Sequence, residues 1–163
     1  MRILLACLTL LLSACGFQLR GSHALPFETL HIAQPESSEL RAVIKRNIEA
    51  STSTRVVATA AEAQATLIVL GDLSQKKIMS LNSAGRVREY QLERTFVFMV
   101  ANAAGQQFVP QSTIRITREM TFDDAAVLSK QAEETLLWRD IQNDMVQQLM
   151  RRLAAAKLKP ADS

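Results

Sequence analysis

The apolar positions along this chain change their period several times, and each change marks an element. Ile3 to Leu12 is an almost unbroken apolar run, shorter than the roughly 20 residues a helix needs to cross a bilayer. Thr29-Leu30-His31-Ile32, following Pro26, then predicts a short strand. Leu40, Val43, Ile44 and Ile48 recur at helical spacing behind the cap oxygens of Ser37 and Ser38. That spacing predicts an amphipathic helix with Arg41, Lys45, Arg46 and Glu49 off its apolar stripe.

Beyond the helix the period shortens to two. Arg55-Val56-Val57 and Ala65-Thr66-Leu67-Ile68-Val69-Leu70 read as strands, the second so continuously apolar that it belongs in the middle of a sheet. Gly71 marks a bulge on the way to Ile78. After a turn at Leu81-Asn82-Ser83-Ala84-Gly85, residues 86–101 alternate: Tyr90, Leu92, Phe96, Phe98 and Val100 share a parity, and Gln91, Glu93 and Thr95 take the other. Asn102-Ala103-Ala104-Gly105 predicts a hairpin turn, and residues 107–122 return antiparallel with Ile114 and Ile116 facing inward. Asp123-Asp124 then predicts the cap of a last helix reaching about Lys157. Its stripe is Leu137, Ile141, Met145, Leu149 and Leu153, widened by Trp138, Val146 and Met150. The implied fold is α+β, with two helices packed on one face of a mixed, mainly antiparallel sheet of about four strands.

The beginning of the chain changes the picture from fold to address. Met1-Arg2, the apolar run and Leu12-Ser13-Ala14-Cys15 form a secretory leader whose cleavage site is followed at once by cysteine. Lipoprotein maturation needs that arrangement, so Cys15 is expected to carry an S-diacylglycerol and an N-palmitoyl group. Two or three acyl chains anchor stably, because each buried methylene contributes about 0.8 kcal/mol. Gly16 stands where an aspartate would favour inner-membrane retention, which makes the cell outer membrane the expected location. Cys7 would leave with the leader, so no internal disulfide is expected. The expected organisation is residues 1–14 as removed leader, 15–27 as lipidated N-terminus and linker, 28–157 as a single α+β domain, and 158–163 as a flexible tail.

Composition excludes more than it selects. A formal charge of +3 over 163 residues is too small for a nucleic-acid argument, which wants a concentrated basic stripe. His23 and His31 stand at no metal-ligand spacing. Asp123-Asp124 and Glu133-Glu134 are neighbours whose side chains diverge, so they suit a cap and a solvated helix face better than a proton-sharing dyad. No phosphate-binding glycine loop, nucleophile elbow or zinc motif occurs. No catalytic residue, cofactor or metal is expected.

The run Cys15-Gly16-Phe17-Gln18-Leu19-Arg20-Gly21 resembles the opening of the LPS-assembly outer-membrane lipoprotein family (LptE, also RlpB). Leu25-Pro26-Phe27, Glu89-Tyr90-Gln91-Leu92 and Phe122-Asp123-Asp124 leading through Lys130 continue the likeness in order, across nearly the whole mature chain. The tail is shorter than in some members. The resemblance implies a non-enzymatic component of the outer-membrane lipopolysaccharide translocon. Such a protein plugs and helps assemble a large LptD-type β-barrel subunit and assists insertion of lipopolysaccharide into the outer leaflet.

Phosphates on lipopolysaccharide call for arginine or lysine at a loop edge. Lys76, Lys77, Arg86, Arg88 and Lys130 qualify, and the resemblance favours Arg86, Arg88 and Lys130 as contacts. In this chain the arginines follow the turn glycine rather than precede it. An accessory lipoprotein of another lipid-transport or barrel-assembly complex remains the alternative, and a membrane-anchored enzyme a third.

Overall fold

A computed structural model describes residues 25–156. The expected leader, the lipidated Cys15 with the residues up to 24, and the tail lie outside the described residues. Strand β1, Thr29–Ala33, leads into helix α1, Glu39–Ser51, and a short β2, Arg55–Val57. A single 3-10 turn precedes three long strands: β3, Ala65–Leu81; β4, Val87–Ala101; and β5, Gln107–Thr121. Another 3-10 turn, Asp124–Ala126, opens into helix α2, Val127–Ala154.

The five strands make one sheet in the order β2-β1-β3-β4-β5. Both neighbours of β1 run parallel to it, while β3, β4 and β5 form an antiparallel meander. The sheet therefore has one strand more than the sequence implied and is more evenly mixed. The parallel part arises because α1 carries the chain back between β1 and β2, a crossover that a hairpin cannot supply.

Each long hairpin closes on the same chemistry. The Asn82 amide donates to the Arg86 carbonyl at 2.8 Å, and its side-chain oxygen accepts from the Ala84 and Arg86 amides, both at 3.0 Å. Asn102 repeats the arrangement with Gln106. Gly85 and Gly105 sit at φ 74° and 80°, a left-handed conformation that costs a side-chain-bearing residue about 1–2 kcal/mol.

The core lies between one sheet face and the two helices. Leu92, Phe96, Phe98 and Val100 are buried with Ile114, Ile116, Leu30, Ile32 and Leu67 against Ile44, Ile48, Ile141, Met145, Leu149 and Leu153. Phe96 and Phe98 stack with ring centroids 5.6 Å apart. Among the described residues the opposite sheet face has no helix over it, and there Gln91, Glu93 and Thr95 of β4 pair across with Glu119, Thr117 and Arg115 of β5.

Two helix details differ from the sequence expectation. Arg41, expected off the stripe, is buried; its guanidinium lies 3.7 Å from Glu36, and its Nε has no hydrogen-bond partner among the described residues. The 41/44/48 positions share a helix face, and α1 turns that face inward because Ile44 and Ile48 gain most from burial. Asp123 caps the 3-10 turn by accepting from the Ala125 amide at 2.9 Å, and α2 itself starts behind Ala126. Ser38 caps α1 as expected, accepting from the Arg41 amide at 3.3 Å.

Candidate functional site

Three of the basic residues singled out in the sequence, Arg86, Arg88 and Lys130, lie at one end of the sheet. Arg86 leaves the β3–β4 turn and reaches Asp124 at 3.4 Å, tying that turn to the entrance of α2. The Phe122 amide donates to the Arg88 carbonyl at 2.8 Å, which extends the β4–β5 ladder past Thr121. Phe122 also packs edge-on against Tyr90 at 5.4 Å. Lys130, in the first turns of α2, donates to the Thr121 hydroxyl at 3.0 Å and to Glu133 Oε2 at 2.8 Å. Arg86 and Arg88 lie two residues apart at the start of β4 and Lys130 lies in α2, and residues 121–124 join the two segments.

Lys76 and Lys77 behave differently. Lys76 donates to Glu134 at 2.6 Å and lies 4.1 Å from the centre of the Tyr90 ring. Lys77, on the uncovered face, donates to Glu93 at 2.9 Å. That bond, followed by the charges of Lys77 and Arg115, holds the Glu93 carboxyl below its ordinary value of 4.5. Both lysines are held down along the sheet, which makes them poor ligands for an external anion.

Electrostatically the cluster is matched in sign rather than simply basic. Asp124 and Glu133 each take one cation, and the Arg86 side chain remains 64% exposed whereas that of Lys130 is only 18% exposed. An incoming phosphate would meet Arg86 and Arg88 in the open and would have to draw Lys130 away from Glu133. The sequence did not single out Asp124, Glu133 and Thr121 for this role, because a counter-charge is recognisable only once the segments are brought together.

A second feature lies where α1, β3, β4 and α2 converge. It is a cleft of about 350 Å³ lined by Glu39, Ser74, Arg94, Trp138, Arg139 and Gln142. Arg94 is fully engaged there, donating to both Asp72 oxygens at 2.8 and 2.7 Å and to Gln142 at 3.1 Å. His31 Nδ1 is 3.4 Å from the Val57 carbonyl, a position inside the sheet. The described residues contain no group of three or more His, Cys, Asp or Glu able to hold a metal. Glu133 and Glu134 turn to different lysines, and Asp123 and Asp124 to a backbone amide and an arginine, so neither pair shares a proton.

Residues 27–153 match the LptE family, described as lipopolysaccharide-assembly. The chain belongs to that family. An LPS-assembly lipoprotein LptE from Yersinia enterocolitica is 28% identical over 98% of this chain and 79% of its own length. The solution structure of an uncharacterized lipoprotein B from Nitrosomonas europaea is 35% identical, with a TM-score of 0.75 over 86% of this chain and 91% of that one. A minor lipoprotein from Acinetobacter baumannii, 23% identical, shares the fold with a TM-score of 0.65 over 83% of this chain and 99% of its own. The LptE match begins at Phe27 and ends at Leu153, so it takes in the whole sheet, both helices and all three basic residues of the cluster. No helix among the described residues of this LptE-family chain is long and apolar enough to cross a membrane.

Proposed function

We propose that this LptE-family chain is a non-enzymatic, lipid-anchored component of the outer-membrane lipopolysaccharide translocon. In this reading it plugs and helps assemble an LptD-type β-barrel and contacts lipopolysaccharide through Arg86, Arg88 and Lys130. The observation that carries it is the meeting of those three residues at the end of the sheet remote from the chain's entry. Leu25 and Phe27 enter beside Phe108, where β4 ends and β5 begins. The basic cluster sits where β4 begins and β5 ends. Fifteen strand residues separate the two ends, about 50 Å at roughly 3.3 Å per residue. A bilayer with its headgroups is about 40–45 Å thick. A domain tethered through Cys15 at the inner leaflet, and standing in a barrel lumen, would therefore carry its basic end to the level of the outer leaflet.

The uncovered sheet face fits the same reading. From Gln91 to Thr95 of β4 and across to β5 its positions are threonine, glutamine, glutamate and arginine, with Leu73, Val97 and Met99 beside them, and the polar stretch suits a polar lumen wall better than lipid. Large barrels enclose a lumen that side chains alone cannot fill, and a folded domain can occupy it.

Two measurements test the proposal. Replacing Arg86, Arg88 and Lys130 together with glutamate is expected to weaken lipopolysaccharide binding at low salt while the melting temperature stays within a few degrees of the parent; unchanged binding would remove these residues from the reading. Purification of the lipidated protein from envelopes is expected to bring down a large heat-modifiable barrel. Recovery with an inner-membrane transporter instead would favour an accessory role.

A further inference from the structure

Among the described residues the edge of β3 is left open over most of its length. Strand β1 pairs with it only from Ala65 to Ile68. The chain then turns away at once, the Gln34 amide donating to the Ile32 carbonyl at 2.8 Å. Residues 70–81 of β3 pair with β4 on one side and with no backbone among the described residues on the other. At roughly 3.3 Å per residue this is about 40 Å of unpaired edge, and alternate residues direct their amide and carbonyl groups along it. Leu70, Leu73, Ile78, Met79 and Leu81 stand on this stretch, each about half exposed or more, from 48% to 58%.

The β5 edge of the same sheet shows the contrast. β5 carries Pro110, which has no amide to offer, and Arg115, Arg118 and Glu119 along its length, with Arg118 tied to Asp144 of α2. Those are the devices that keep a sheet edge from pairing. On β3 the corresponding guards, Lys76 and Lys77, are bent onto Glu134 and Glu93. A row of main-chain donors and acceptors at strand spacing has one chemical complement, another extended polypeptide. A second copy of this chain fits poorly as that occupant. An antiparallel β3–β3 pair centred on Ser74 would bring together two copies of the α1 N-terminus, since Glu39 lines the same cleft as Ser74.

We infer that residues 70–81 of β3 accept an extended segment of the barrel partner by strand addition, an inference that rests on the barrel reading above. The edge belongs to the end of the molecule that carries the basic cluster, since Leu81 pairs with Val87 and Arg86 closes the turn between them. The added segment is therefore a part of the barrel chain that turns into the lumen at that end, not one near the lipid tether.

The test is amide hydrogen exchange on the purified lipidated protein, free and in complex with its barrel. In the complex, the edge-facing amides of residues 70–81 are expected to slow by at least about tenfold, as strand pairing requires, while the outer-edge amides of β5 keep their free rates. A Leu73→Lys, Ile78→Lys variant, both positions being exposed, is expected to keep its melting temperature and lose the protection. A complex that forms with unchanged exchange on β3 overturns the inference and leaves the barrel reading standing. Protection already present in the free protein and rising with its concentration overturns it in favour of self-pairing. Protection that survives the double-lysine variant overturns it in favour of simple burial, and failure to form any complex overturns the barrel reading and the inference together.

Discussion

At the scale of single residues, the two Asn-x-x-Gly turns and the β3 glycine separate conformational from packing demands. A Cβ added at Gly105 would meet nothing within 4 Å, so the only obstacle to alanine there is its φ of 80°. Gly105→Ala is therefore expected to destabilise by about 1–2 kcal/mol in urea titration. At Gly71 the same atom would rest in ordinary contact with Val97 at 3.9 Å, with no positive φ to oppose it. Gly71→Ala is expected to be neutral or to stabilise by up to about 1 kcal/mol, since glycine gives up more backbone entropy in a strand. The turn glycines were legible in the sequence because asparagine and glycine at that spacing leave few alternatives. Arg41 was not: helical periodicity puts it beside Ile44 and Ile48, but the chemistry of a guanidinium argued for the outside.

At the scale of elements, β4 was read correctly residue by residue because both its faces have a fixed environment, a helix on one side and polar cross-strand partners on the other. Phe96, fully buried and stacked on Phe98, is the test of that core. Phe96→Ala is expected to cost about 3–5 kcal/mol by denaturant unfolding, against less than about 0.5 kcal/mol for Leu73→Ala on the exposed edge. The continuation of β3 past Gly71 was harder to read, since its exposure follows from the length of β1 and not from its own alternation. On the uncovered face, the lowered carboxyl of Glu93 ties stability to pH. Its folded-state value lies below the unfolded one, chiefly through the Lys77 hydrogen bond, so its contribution is present above about pH 4.5 and disappears as pH falls through the lowered value. Glu93→Gln is expected to lower the urea midpoint by a constant small amount near neutrality, with the two proteins converging once the pH has fallen through the lowered Glu93 value.

At the scale of the whole molecule, individual basic residues could be picked out along the chain, but their meeting could not. Arg86 and Lys130 are joined by the return of β5 and the 3-10 turn at Asp124, and no local pattern encodes that closure. The same topology places both ends of the described chain together: Phe27 packs on Phe108 at 6.3 Å, and Arg152, in the last turn of α2, lies 6.0 Å from the Phe98 ring. This allows orientation to be tested without changing a surface residue. Joining the two ends through a flexible linker and reopening the chain at the Asn102–Gly105 turn leaves a new lipidated terminus at the end where the original one enters. Reopening at the Asn82–Gly85 turn moves the lipid to the basic end, about 50 Å away by strand rise. Both openings cut a four-residue turn of the same hydrogen-bonded type, so their costs in stability should be alike. If the tether serves to hold the basic end at the outer leaflet, the first permutant is expected to support surface lipopolysaccharide in cells depleted of the parent protein, and the second to fail although it folds and binds lipopolysaccharide in solution. Equal rescue by both would mean that the lipid sets only the local concentration of the domain and not its direction.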